Sequence, residues 1–141
     1  METANKTRIT VENTVNAPVE KVWNLFTAPE HITKWNNASD DWHSPYAEND
    51  LRTGGKFLSR MEAKDGSFGF DFGGVYYDVQ THKKIAYTLG DGRKVELTFT
   101  NLGNATKVTE SFEAETQNSI ELQQSGWQSI LDNFKRYTEA N

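Results

Sequence analysis

The chain predicts an α+β domain: a curved antiparallel sheet of six or seven strands, two short helices after the first strand, and one long C-terminal helix packed across the sheet. Three observations carry this expectation. Segments that alternate apolar and polar residues follow one another through the middle of the chain, separated by turn signals such as Asp65-Gly66 and Asp91-Gly92. Two prolines, Pro18 and Pro29, each open a short stretch with helical spacing. From residue 118 onward the apolar residues recur every three or four positions.

Residues 1–7 read as a disordered leader, and residues 8–141 as the domain. Over residues 8–16, Ile9, Val11 and Asn13 alternate with Thr10, Glu12 and Thr14, which suits a first strand. Val19, Val22, Trp23 and Phe26 then form one apolar helical stripe, and a second short helix runs over residues 30–35. Residues 36–52 are polar and turn-rich, with a short strand expected near residues 42–47.

Gly54-Gly55 signals a turn or bulge before a strand over residues 57–63, where Phe57, Ser59 and Met61 share a face. The next strand spans residues 68–79, with Phe68, Phe70 and Phe72 on one face and a bulge expected at Gly73-Gly74. Ile85, Tyr87 and Leu89 alternate, as do Val95, Leu97 and Phe99, and then Val108, Phe112 and Ala114. Short turns make these strands consecutive antiparallel neighbours. Asn118 or Ser119 can cap the last helix, with Glu121 three residues after Asn118 as a capping pair requires. About twenty residues give a helix near 30 Å long, enough to cross a small sheet. A twisted sheet wrapped round one helix leaves space between them, and pockets occur in such places.

Composition narrows the function. The apolar fraction is 35%, yet eight Phe, five Tyr and four Trp supply large rings for a core or for a cavity wall. The net charge is −5 with no Lys/Arg block, which argues against nucleic acid and against an anionic membrane surface. Cysteine is absent, so thiol nucleophiles, redox pairs and thiolate metal sites are excluded. Three scattered histidines make no metal set, and no cofactor is expected. No apolar run approaches a membrane span, and the first residues lack the apolar centre of a signal peptide, so the expected compartment is the cytoplasm. Monomer and homodimer both stay open.

Four stretches carry a resemblance. Ala17-Pro18-Val19-Glu20-Lys21-Val22-Trp23, Pro29-Glu30-His31-Ile32-Thr33-Lys34-Trp35, Asp50-Leu51-Arg52-Thr53-Gly54-Gly55-Lys56-Phe57, and Gly126-Trp127 with Ile130-Leu131 and Asn133-Phe134 follow in order. Together they resemble the START-like (SRPBCC) helix-grip superfamily, in the branch similar to the C-terminal domain of the Aha-type activator of heat-shock protein 90 ATPase. That resemblance implies a cavity for a hydrophobic molecule, with lipids, sterols, polyketides and plant hormones among the superfamily's ligand classes. The branch also implies a protein partner of co-chaperone type and a link to the stress response. Some superfamily members are cyclases or hydrolases, which adds a cofactor-independent cyclase or isomerase as a third expectation. Others are Rieske oxygenase subunits, whose iron-ligand pattern this chain lacks.

The residues expected to line the cavity come from every part of the fold. They are Trp35 at the end of the second helix, Trp42 in the loop after it, Phe57 and Met61 on one strand, and Phe70 and Phe72 on the next. Tyr87, Phe99 and Phe112 are expected from the later strands, and Gln123, Gln124, Trp127 and Leu131 from the last helix. Glu110 stands out because it shares a core-facing strand face with Val108 and Phe112. A carboxylate there is costly unless paired, which makes Glu110 a candidate ligand-orienting acid or general acid/base; an ion pair with Arg60 or Arg93 is the structural alternative. His43, beside Asp40, Asp41 and Trp42, is the candidate proton carrier at the cavity mouth. His31 and His82 are expected at the surface.

Overall fold

The computed structural model describes residues 7–141. Its elements run β1 (Arg8–Val15), α1 (Val19–Thr27), α2 (Pro29–Trp35), β2 (Trp42–Asn49), β3 (Lys56–Ala63), β4 (Gly69–Gln80), β5 (Lys84–Leu89), β6 (Lys94–Asn101), β7 (Thr106–Glu113) and α3 (Ile120–Ala140). Apart from Thr7, whose carbonyl accepts from the Ala114 amide at 2.8 Å, the expected leader lies outside the described residues.

One seven-stranded antiparallel sheet has the order β1-β7-β6-β5-β4-β3-β2. The chain begins on one edge, crosses to the other through α1 and α2, and returns by a meander that ends beside β1. The sheet curls into a half-barrel, and α3 lies in its grip. The helix packs most closely against β1, while α2 covers β2. Both helical caps of the crossover are backbone-made: Pro18 and Ala28 sit in extended conformation before Val19 and Pro29.

The core fills one end of this grip with rings. Phe26 lies 5.0 Å from Trp35, 5.0 Å from Phe134 and 5.6 Å from Phe99, mostly edge to face, and Trp23 meets Phe99 at 5.2 Å. The Trp35 indole N–H donates to the Leu25 carbonyl at 2.9 Å, which fixes α2 on α1. Asn133 Nδ2 donates to the Trp35 carbonyl at 2.8 Å and ties the back of α3 to the same corner.

Four local expectations need correction. No bulge sits at Gly73-Gly74, where β3 and β4 stay in register. The register shift falls between Tyr76 and Asp78. It places Phe70, Phe72 and Tyr76 on the concave face before it and turns Val79 inward after it. The glycines serve close approach instead, since a Cβ on Gly74 would stand 2.4 Å from the Thr88 carbonyl oxygen and one on Gly73 would stand 2.7 Å from that of Phe57. Phe68 lies just before the strand and is 61% exposed; its ring meets Phe70 at 6.1 Å but stays outside the cavity lining. The cap of α3 is Ser119, whose Oγ accepts from the Leu122 amide at 3.1 Å, and Asn118 instead bonds Glu115 at 2.6 Å. His31 and His82 are half-buried: His31 Nδ1 sits 2.6 Å from the Tyr137 hydroxyl, and His82, in left-handed backbone at φ 66°, meets Trp23 edge-on.

A candidate ligand cavity with a buried carboxyl

Beside this ring cluster, Leu122, Gln123, Gly126 and Trp127 of α3 face the sheet across a gap that Phe26, Ile32 and Trp35 also border. The gap is a cavity of about 460 Å³. This falls within the usual range of small-molecule sites, about 300–1,000 Å³. Its walls are mainly rings. Phe57 lies 4.6 Å from Tyr87, 5.3 Å from Tyr76 and 6.0 Å from Phe72, which together form the sheet side. Trp127 forms the helix side. It stacks on Phe112 of β7 at 3.9 Å and 12°, and meets Phe72 of β4 edge-on at 6.0 Å. One indole thus bridges β7 and β4 along the cavity wall.

Glu110 lies among these rings. Its backbone sits between Val11 of β1 and Leu97 of β6, and its side chain is 8% exposed. Among the described residues no hydrogen bond or ion pair reaches its carboxyl: Arg60 is held by Glu62 and Asp71, and Arg93 by Asp91. Both structural alternatives for Glu110 are therefore taken elsewhere. Burial pushes the carboxyl up to about 8. Burial also pushes the Tyr87 phenol well up, with Glu110 adding to the effect. The Tyr76 hydroxyl, raised by burial, donates to Asn49 Oδ1 at 2.5 Å, and Asn49 Nδ2 donates to the Thr27 carbonyl at 2.8 Å. That chain of bonds ties the end of β2 to the end of α1 at the cavity wall.

Of the residues expected at the cavity, Trp35, Phe57, Met61, Phe70, Phe72, Tyr87, Glu110, Gln123, Trp127 and Leu131 line it. Five others are placed elsewhere. Phe99 packs with Trp23 and Phe26 in the filled end. Phe112 lies behind Trp127 and is fully buried. Gln124 is exposed, because the helical period turns it away from its neighbour Gln123. Trp42 touches Phe70 and Phe68 at 6.0 Å each, one ring beyond the rim. His43 Nε2 faces Glu62 at 3.5 Å and is half-exposed, so it is not brought together with Glu110.

Gln123 reaches the cavity with its amide already committed. Its Oε1 accepts from the Glu115 amide at 2.9 Å, and its Nε2 donates to the carbonyls of Glu115 at 3.1 Å and Asn118 at 2.9 Å. It pins the loop between β7 and α3, and so holds the open half of the helix in place. Several lining residues were missed in the sequence. Tyr76 was missed because a bulge expected at Gly73-Gly74 breaks its parity with Phe70 and Phe72, and Asn49 because β2 runs two residues longer than expected. Arg93 lies just before β6, and Glu115 lies past β7, which ends at Glu113, two residues short of the expected strand end. Among the described residues no three of His, Asp and Glu gather as a metal would require. No helix of the described residues is long and apolar enough to cross a membrane.

Solved structures share this architecture. A protein from Cytophaga hutchinsonii is 57% identical, with a TM-score of 0.82 over 98% of this chain and 94% of that one. An AHSA1-like protein from Aeromonas hydrophila is 43% identical, with a TM-score of 0.89 over 95% of this chain and 93% of that one. A protein from Nitrosomonas europaea, only 18% identical, keeps the fold with a TM-score of 0.81 over 98% of this chain and 97% of that one. No curated protein matches the chain. The family described as Activator of Hsp90 ATPase homolog 1-like protein matches residues 16–139, nearly the whole described domain, and the chain belongs to that family.

Proposed function

We propose that this protein binds a small hydrophobic or aromatic molecule between the sheet and the first half of α3. The observation that carries this reading is the ring-lined cavity of about 460 Å³ with one buried carboxyl in its wall. Ordinary core packing leaves few voids larger than a water molecule, so a space of this size inside a ring-rich fold favours a binding role. The test is binding of the neutral dye Nile red, read by its emission and by quenching of tryptophan emission, since Trp35 and Trp127 both line the cavity. Wild-type protein should enhance the dye at micromolar concentration. Ser59 is buried on the face that carries Phe57 and Met61 and lines the cavity. Ser59→Phe should fill the space and weaken dye binding about tenfold or more, while circular dichroism stays native. Equal binding by the two proteins would count against the cavity as the site.

One observation favours a second reading, a protein-docking role of co-chaperone type. Phe68 and Phe70 are 61% and 42% exposed and cluster with Trp42 at the β3–β4 hairpin, with Phe70 itself on the cavity rim. Exposed rings of this kind suit a partner surface. Phe68→Ser should abolish capture of a chaperone if that surface is used, with dye binding unchanged. For an acid–base enzyme the expected pair of Glu110 and His43 is not assembled, since His43 faces Glu62.

A further inference from the structure

Building on the cavity reading above, the structure assigns the site a ligand class: a lipophilic amine whose protonated nitrogen pairs with the Glu110 carboxylate while its apolar body lies against Phe57, Phe72, Tyr87 and Trp127. Three independent features of the cavity support a cation over an anion or a neutral molecule.

The first is the unpaired carboxyl. Glu110 is more than nine-tenths buried, lines the cavity, and has no partner among the described residues. Removal of a carboxyl group from water is unfavourable unless a partner restores what water supplied. An ammonium restores both charge and hydrogen bonding, whereas a neutral ligand restores only the second.

The second is the balance of charge in the wall. Three acidic residues line the space, but Glu48 already accepts from the Tyr46 hydroxyl and Glu115 from Gln117 and Asn118, so Glu110 is the one whose carboxyl has no partner among the described residues. Arg93 is the one cationic residue lining it, and its guanidinium is already bound to Asp91 at 2.8 Å and to the Glu113 carbonyl at 3.4 Å. The phenols of Tyr76 and Tyr87, which also face Glu110's surroundings from β4 and β5, are held neutral by burial. An anionic ligand would find no free cation in this wall to answer its charge. The net charge of −5 adds a long-range attraction for cations.

The third is the wall itself. Aromatic faces attract cations through their quadrupoles, most strongly where water is excluded. The rings of Phe57, Phe72, Tyr87 and Trp127 lie within about one ring's width of each other in a chain of contacts from 4.6 to 6.0 Å. Trp127 stacks on Phe112, two residues along β7 from Glu110, and Tyr87 lies close enough to feel the Glu110 charge.

A proton balance follows. Near neutral pH the buried Glu110 holds its proton, because burial pushes the carboxyl up to about 8. The amine arrives already protonated. Formation of the ion pair requires Glu110 to ionise, so close to one proton passes to the buffer for each amine bound, and none for a neutral ligand.

The test uses two matched pairs, 2-naphthylmethylamine with 2-naphthylmethanol and dodecylamine with dodecanol, titrated calorimetrically at about pH 7 in buffers of different ionisation enthalpy. Each amine should bind at least about tenfold tighter than its alcohol, with proton release only for the amine. In Glu110→Gln the amine preference should vanish, the proton release should vanish with it, and alcohol affinity should stay within about twofold. Equal affinity of amine and alcohol in the wild type would overturn the assignment and leave the cavity reading standing. Absence of binding by any of the four would overturn both. Proton release that persists in Glu110→Gln would overturn the role of that carboxyl, and folding of the variant is checked by circular dichroism.

Discussion

A single carboxyl carries much of the chemistry of this molecule. Glu110 has an ordinary value near 4.5, and burial in the fold pushes it up to about 8. The folded protein therefore keeps this proton at pH values where the unfolded chain has lost it. Below about pH 4.5 both states are protonated and the group contributes no difference. As pH rises from about 4.5 to 8 the unfolded chain is favoured, by up to about 1.4 kcal/mol for each pH unit crossed. Above about 8 both states are ionised and the loss is complete. Glu110→Gln removes the ionisation, so its stability relative to wild type should rise across this window. Urea unfolding at about pH 5 and about pH 9 tests the sign, and a flat difference between the two proteins would contradict it. Gln123 acts at the same scale in the opposite sense. Three hydrogen bonds from one amide hold the loop before α3. Gln123→Leu leaves their partners unsatisfied and should cost about 1–3 kcal/mol in the same assay.

Secondary-structure elements explain why the same small change has opposite effects in different places. Gly126 lies inside α3, and a Cβ built there meets nothing within 4 Å. Gly126→Ala should stabilise the protein by about 0.5–1 kcal/mol, because the helix gains propensity and the unfolded chain loses freedom. Gly74 lies in β4, where a Cβ would stand 2.4 Å from the Thr88 carbonyl oxygen of β5. Gly74→Ala must push two paired strands apart and should destabilise by about 1–3 kcal/mol. Thermal melts of the two variants should move in opposite directions. The glycine pair was legible in the sequence as a mark of local distortion, but its physical reason was not. A Gly-Gly in a strand reads equally well as a bulge or as a close approach, and only the neighbouring strand's carbonyl distinguishes them.

Across the whole molecule, packing is unequal along α3. Its second half is anchored by buried Leu131, Phe134 and Thr138 against the ring cluster of Phe26, Trp35 and Phe99. Its first half covers the cavity, with Leu122 60% exposed and Trp127 as its principal inward ring. Local opening is favoured where buried contacts are few. Amide hydrogen exchange should therefore be faster over residues 122–127 than over residues 130–138. A saturating amphiphile such as 2-naphthylmethylamine should slow the first group selectively, and uniform protection along the helix would contradict this division.

Sequence by itself determined the class and order of the elements, because period-two and period-3.6 patterns and turn residues act over a few neighbours and need no distant partner. It also placed Glu110, Phe57, Phe72, Tyr87 and Trp127 on inward faces, since alternation along a strand and spacing along a helix assign a face directly. Tertiary structure alone decided which inward residues meet space and which meet each other. Phe99 and Phe112 face the same interior as Phe57 and Tyr87, yet Trp23 and Phe26 close over one and Trp127 stacks on the other. A cavity is a mismatch between surfaces that come from residues far apart in the chain. No local pattern records that mismatch, so its walls, its volume and the isolation of Glu110 within it exist only once the sheet has curled round the helix.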